Sequence, residues 1–90
     1  MKFNKLAPLV WMKGRIVPSL NPSLWRADAF GNLIYYYHYG RRDSEYGWEI
    51  DHIFPLGPNQ LWNLQPLQWY ANVRKSNYTL PAILSALFNY

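Results

Sequence analysis

The fold that this sequence predicts rests on residues 48–53, which read WEIDHI. In an extended strand, successive side chains point to opposite faces. A strand here places Trp48, Ile50 and His52 on one face and Glu49, Asp51 and Ile53 on the other. We therefore predict a short β-strand over residues 48–53.

An irregular loop and then a helix are predicted after this strand. Residues 54–62, FPLGPNQLW, contain two prolines and one glycine, so regular structure is not expected there. Pro66 suits the first turn of a helix, and further residues follow at spacings of three and four: Leu67, Tyr70, Ala71 and Arg74. We expect this helix to end near residues 76–77. A second short helix is expected over residues 82–88, with Thr79 as N-cap.

A β-hairpin is predicted upstream of the strand. Gly31 and Asn32 form a turn signal between WRADAF, residues 25–30, and LIYYYHY, residues 33–39. The second of these runs is β-branched and aromatic, as strands are. Residues 40–47 are polar and bounded by glycines, which predicts a loop between the hairpin and residues 48–53.

Length and composition indicate one small globular domain. The chain has 90 residues, of which 50% are hydrophobic and 19% aromatic, a composition unlike that of disordered segments. It has no cysteine, which excludes disulfides and Cys-ligated zinc. No apolar run reaches the ~18 residues of a membrane-spanning helix. The lack of cysteine and of a clear secretory signal favours an intracellular location, and an organellar one stays open.

The charge balance favours an anionic partner. Nine Lys and Arg against five Asp and Glu give a formal net charge of +4, and residues 1–27 contain no acidic residue. Nucleic acid and anionic membrane surfaces attract such a chain. Residues 1–24 carry three prolines and little periodicity. We predict a basic irregular arm over 1–24 and a domain over 25–90, with its core motif at 47–76.

Four features follow one another in this core motif. They are GWEIDHI at residues 47–53, Pro55, NLQPL at residues 63–67 and NVRKS at residues 72–76. Together they resemble the HNH endonuclease family, whose pattern is an Asp-His pair on a strand, a loop, an Asn-Leu pair, and a helix that supplies His or Asn followed by Lys. The resemblance implies an α+β fold: a small ββα-metal (HNH) domain with an upstream β-hairpin, an irregular N-terminal arm and a short C-terminal helix.

The resemblance also implies a metal-dependent endonuclease that hydrolyses phosphodiester bonds in double-stranded DNA. Asp51 and Asn72 would hold one divalent ion, Mg²⁺ or alternatively Mn²⁺; Mg²⁺ prefers oxygen ligands and needs few from the protein. His52 would act as general base, because neutral imidazole suits proton abstraction near neutral pH. Asn63 would close the loop and orient the imidazole. Since Asp51 and His52 are neighbours on a strand, a twist or bulge must bring both side chains to one cleft.

Basic residues are expected to contact the phosphates of the substrate. Lys75 and Arg74 follow Asn72 on the predicted helix and would hold the scissile or a flanking phosphate. Arg41 and Arg42 in the loop before the strand, together with the basic arm, would supply further contacts.

The same residues also have structural interpretations. The Asp51-His52 pair also fits a surface dipeptide at a strand end, and Asn63 a turn before a helix. Asn72 and Lys75 fit the solvated face of an amphipathic helix. Large aromatics dominate small cores, so we expect the following in the core rather than stacked on bases: Trp48, Trp62 and Trp69. His38 is expected to be structural.

An alternative function therefore stays open. It is that of a catalytically inactive HNH-fold protein, acting as a structural or nucleic-acid-binding subunit of a larger assembly. The loop between His52 and Asn63 is shorter than in the common family form, and the apolar residues 82–88 would suit docking to a partner protein. Nucleic-acid binding without cleavage is a third option.

Overall fold

The structure is a computed structural model and describes residues 4–88, without the side chain of Leu80. In chain order its elements are helix α1 (Ala7–Trp11), strands β1 (Trp25–Ala27), β2 (Leu33–Tyr35), β3 (Trp48–His52) and β4 (Leu64–Gln68), and helix α2 (Trp69–Phe88). Short 3₁₀ turns cover Tyr36–His38 and Leu61–Asn63. The strands form two antiparallel two-stranded sheets, β1-β2 and β3-β4. These sheets and helices confirm the predicted α+β class.

The predicted hairpin is confirmed, although both strands are shorter than expected. Gly31 adopts a φ of 85° in its turn, a conformation that glycine reaches without steric cost. Asp28 is buried beside this turn, and its Oδ1 accepts the amides of Phe30 and Asn32 at 3.0 and 2.8 Å. Its Oδ2 accepts a hydrogen bond from the backbone N–H of Gln68 at 3.0 Å. Asp28 therefore ties the hairpin turn to the end of β4.

Strand β3 is the predicted strand, and its partner β4 corrects the prediction that a helix begins at Pro66. Residues Leu64–Gln68 pair with β3 in a register that sets Asp51 opposite Gln65 and Ile50 opposite Pro66. Of the residues whose spacing of three and four suggested a helix, Tyr70, Ala71 and Arg74 do lie in α2, whereas Leu67 lies in β4, where pairing with β3 decides the structure. An edge strand tolerates Pro66, which has no N–H to donate.

One helix of 20 residues replaces the two that were predicted. It begins at Trp69 and continues through residues 76–77 to Phe88, so the predicted break and the N-cap role of Thr79 are wrong. Pro81 lies inside the helix. A proline there removes one backbone hydrogen bond at a cost of about 3 kcal/mol, but the flanking turns keep theirs and the helix continues.

Helix α1 lies within the predicted irregular arm and forms part of the core. Ala7, Val10 and Trp11 are buried. They join a cluster with Ile34, Trp48 and Leu64. The prediction of an irregular arm is therefore wrong for residues 7–11. Pro8 does not prevent a helix here, because it stands in the first turn, where the backbone N–H that proline lacks would have no helical partner. The core takes residues from both sides of the boundary predicted at residue 25.

The tryptophans expected in the core have different environments. Trp48 is fully buried, with its ring 5.2 Å from that of Trp11. Trp69 is half-buried and donates from its indole to Ser44 O at 2.7 Å. Trp62 is 67% exposed, so its core assignment is wrong. Among residues 4–88, no helix combines the length and apolar character that crossing a bilayer requires.

Candidate functional site

A cleft of about 220 Å³ opens where the end of β3 meets α2. Its lining consists of Asp51, His52, Pro55, Lys75, Ser76 and Thr79. Strand alternation turns the Asp51 and His52 side chains to opposite faces of β3. Both nevertheless line the cleft, because β3 ends at His52 and the cleft surrounds that end. The structure thus brings Asp51, His52 and Lys75 to one place.

Asp51 is paired with a cation from α2. Lys75 Nζ lies 2.6 Å from Asp51 Oδ2, and Gln65 Nε2 donates to the same oxygen at 2.9 Å. The ammonium also donates to His52 O at 2.6 Å. The Lys75 and Asp51 side chains are only 16% and 11% exposed, so solvent screens this pair less than it screens a surface pair. Lys75 therefore neutralises Asp51 inside the cleft.

His52 is held by the loop that follows β3. Its Nε2 forms a short hydrogen bond with Asn59 Oδ1. An amide oxygen can only accept, so Nε2 carries the ring proton in this arrangement. The lone pair of the neutral imidazole is then on Nδ1. Asn59 thereby selects the nitrogen that can act as a base.

Asn63 holds the two ends of this loop together. It is 1% exposed, and its Oδ1 accepts the Phe54 amide at 2.8 Å. Its Nδ2 donates to Phe54 O at 3.1 Å and to Pro58 O at 3.0 Å. A Cβ at Gly57 would lie 2.7 Å from Asn63 Nδ2, so glycine is required for this close approach. Asn63 therefore fixes the path of the loop. The loop in turn carries Asn59, which contacts His52.

A second polar network lies beside the first on the same strand face. Asn72 Nδ2 donates to Glu49 Oε1 at 2.9 Å. Arg42 contacts both carboxylate oxygens of Glu49, with Nε 2.7 Å from Oε2 and the terminal nitrogen 3.0 Å from Oε1. Partial burial disfavours the ionised Glu49, but the hydrogen bonds from Arg42 and Asn72 and the charge of Arg42 outweigh it. The pKa of Glu49 is therefore below its ordinary value.

Two residues of α2 pair with two residues on one face of β3. Glu49 and Asp51 are ~6.6 Å apart along β3, and Asn72 and Lys75 are ~4.5 Å apart along α2. Asn72 pairs with Glu49, and Lys75 pairs with Asp51. The structure therefore pairs Asn72 with Glu49 rather than with Asp51, and Asn72 is not among the described residues that line the cleft.

The oxygens of Asp51 and Asn72 fit a hard divalent cation chemically. Within residues 4–88, neither Asp51 Oδ1 nor Asn72 Oδ1 accepts a hydrogen bond. Carboxylate and amide oxygens are ligands that Mg²⁺ prefers, usually with several waters retained. The part of the chain that the structure describes holds no group of three or more His, Cys, Asp or Glu arranged to bind a metal ion. The two residues expected to hold a metal, Asp51 and Asn72, therefore each keep one oxygen of the type that Mg²⁺ binds.

The basic residues expected at the phosphates differ in their surroundings. Arg41 is exposed and paired with Asp43 at 2.9 Å, and Arg42 is exposed and paired with Glu49. Arg74 is exposed on α2, with its guanidinium 6.0 Å from the centre of the Tyr70 ring. Lys75 lies inside the cleft. Lys75 is therefore the cation nearest to Asp51 and His52.

The expectations from sequence omitted Asn59, Gln65 and Glu49. For Glu49 a signal existed, because the alternation of residues 48–53 places it on the same face as Asp51. Gln65 reaches Asp51 only through the β3-β4 register, which a helix starting at Pro66 does not contain. Asn59 lies in an irregular loop, where no periodicity marks a contact.

No protein-family model, curated protein or solved structure matches this chain.

Proposed function

We propose that this chain is a metal-dependent endonuclease of the HNH type that hydrolyses phosphodiester bonds in DNA. The observation that carries the proposal is the convergence of Asp51, His52 and Lys75 in one cleft at a strand end facing a helix. The motif order that resembles the HNH family supports it independently. The surplus of basic residues also suits a polyanionic substrate.

His52 is the general base in this proposal. Its Nδ1 accepts the proton of the attacking water, since Asn59 holds the other ring nitrogen. Asn63 positions His52 indirectly, because it fixes the loop that carries Asn59. The ring then stays at the cleft in one orientation and one tautomer.

Asp51 and Asn72 are the proposed ligands of a single divalent ion, Mg²⁺ or Mn²⁺. Such an ion offsets the negative charge that grows on the phosphate in the transition state. Gln65 orients the Asp51 carboxylate and Glu49 orients the Asn72 amide. Lys75 would hold a phosphate oxygen of the bound strand, with Arg74, Arg41 and Arg42 contacting flanking phosphates.

The direct test is incubation of the purified chain with supercoiled plasmid in Mg²⁺, in Mn²⁺ or in chelator. We expect nicked and linear DNA with either metal and intact plasmid with chelator. His52→Ala should abolish cleavage while its circular dichroism and melting temperature match those of the parent. His38→Ala is the matched control, because this other histidine bonds Ser44 at 2.7 Å outside the cleft. Undiminished nicking by His52→Ala would refute the assigned base.

A second candidate function is that of a catalytically inactive HNH-type scaffold that binds nucleic acid or a protein assembly. It is favoured by the ammonium of Lys75, which already neutralises Asp51 without a metal. Exposed apolar side chains near the end of α2, Leu84, Leu87 and Phe88, would suit a protein partner. Intact plasmid under every metal condition, with retained DNA binding, would select this candidate over the nuclease.

A further inference from the structure

A larger groove runs beside the cleft along α2. Its volume is about 460 Å³, and it shares Lys75 and Thr79 with the lining of the cleft. One wall is the face of α2 that carries Tyr70, Arg74 and Tyr78, which are spaced by four and therefore lie one above another. The hairpin turn, with Phe30, forms the other wall. The groove is thus continuous with the site proposed for hydrolysis.

Exposed aromatic rings line this groove. Phe30 is 64% exposed, Tyr70 54% and Tyr78 73%. Tyr70 and Tyr78 are separated by ~12 Å along the helix axis, a length that a stacked strand covers in about three nucleotide steps. Their rings therefore offer separate platforms to two bases about three nucleotides apart rather than one shared platform.

The charge of the groove matches a phosphate backbone. Arg74 and Lys75 line it, and among its described lining residues none is acidic. Aromatic faces that alternate with cations are the surface on which single-stranded nucleic acid binds, because bases stack on the rings while the cations follow the phosphates. A paired base inside a duplex has no face left to stack on a side chain.

We propose that this groove holds unpaired bases of the DNA strand next to the scissile phosphate. The inference rests on the proposed function for the place of cleavage, and it narrows the substrate from DNA in general to DNA with a single-stranded segment. The turn that carries Phe30 is held in place, since the buried Asp28 accepts hydrogen bonds from that turn and from Gln68 at the end of β4. The platform therefore exists before the strand arrives.

Binding measured in chelator tests the groove without requiring cleavage. Fluorescence anisotropy would compare a short labelled single strand with a blunt duplex of the same sequence. We expect the single strand to bind several-fold tighter than the duplex. Tyr70→Ala and Tyr78→Ala should each weaken single-strand binding by about five-fold or more, the effect of losing one base–aromatic stack. Duplex binding should not change in either variant.

Two control variants separate stacking from other effects. Tyr37→Ala removes a tyrosine that is 67% exposed and lies outside the groove, so its binding should equal that of the parent. Tyr78→Phe keeps the ring and should also keep the affinity. Equal or tighter binding of the duplex would overturn the inference, as would Tyr70→Ala and Tyr78→Ala variants that bind like Tyr37→Ala. Loss of self-association in Tyr78→Ala, with unchanged DNA binding, would instead identify a second copy of the chain as the occupant.

Failure of this inference can be distinguished from failure of the proposed nuclease. If the chain prefers the single strand but never cleaves plasmid, the groove inference stands and the proposed nuclease function is refuted. If the chain cleaves plasmid in Mg²⁺ but binds single strand and duplex alike, the nuclease function stands and the groove inference is refuted.

Discussion

Lys75 on α2 places its ammonium 2.6 Å from Asp51 Oδ2, on the carboxylate proposed to bind a metal ion. The same ammonium donates to His52 O at 2.6 Å. A divalent cation on Asp51 would lie close to this positive charge, and like charges at short range repel strongly where little solvent intervenes. Lys75 and a metal ion bound at the proposed site would therefore compete for Asp51.

This competition predicts that Lys75→Met binds metal more tightly than the parent chain. The substitution keeps a side chain of similar length and removes the ammonium, with its charge and its hydrogen bonds to Asp51 and His52 O. Titration calorimetry with Mn²⁺ should show a dissociation constant several-fold lower. Lys5→Met is the matched control, because it removes the same charge from an exposed residue of the N-terminal segment. Equal Mn²⁺ affinities in the parent, Lys75→Met and Lys5→Met would show that Lys75 does not oppose the metal.

Alanine substitutions at Asn63 and Asn59 should separate an effect on stability from an effect on activity. Asn63→Ala removes buried hydrogen bonds to Phe54 and Pro58, so we expect the free energy of unfolding in urea to fall by about 3 kcal/mol. Asn59 is exposed, and Asn59→Ala should leave stability within about 0.5 kcal/mol of the parent.

The same Asn59→Ala variant should lose part of the ~10²–10⁴-fold that a positioned general base contributes to the rate. An unchanged kcat would rule out the proposed role of Asn59 in selecting the tautomer.

Asp28 should be important for stability although it lies outside the cleft. It accepts amides from Phe30, Asn32 and Gln68 and is 2% exposed. Asp28→Ala leaves these buried donors unsatisfied, so we expect the free energy of unfolding to fall by about 3 kcal/mol or more. Asp43→Ala is the control, since its pair with Arg41 is exposed and solvent screening should leave it little effect on stability. Equal losses in the two variants would contradict this account.

Glu49 should make stability depend on pH on the acid side. Its folded pKa is below the unfolded value of about 4.3, so ionised Glu49 stabilises the fold at higher pH. This contribution is present above the unfolded pKa and is lost as pH falls through the lowered folded pKa. The stability advantage of the parent over Glu49→Gln should therefore shrink as the pH falls below about 4.3. Glu45→Gln is the control, because the Glu45 side chain makes no hydrogen bond within residues 4–88; an advantage that does not vary with pH would refute the assignment.

Local sequence information was sufficient where one signal had one structural meaning. The Gly31-Asn32 turn predicted the hairpin, and the alternation of residues 48–53 predicted β3 with Glu49 and Asp51 on a shared face. The prolines and the glycine of residues 54–62 predicted an irregular loop, and the structure differs only at its end, where a short 3₁₀ turn covers Leu61–Asn63. Each of these features depends on the conformational limits of a few adjacent residues, and such limits act in any tertiary context.

Tertiary structure decided the elements whose hydrogen-bond or packing partners lie far away in the chain. Leu64–Gln68 is a strand because β3 pairs with it, and no spacing within the segment contains that information. Residues 7–11 form a helix because a core made by Ile34, Trp48 and Leu64 buries one side of it. The pairing of Lys75 with Asp51 likewise depends on how α2 lies against β3, and long-range packing alone sets that arrangement.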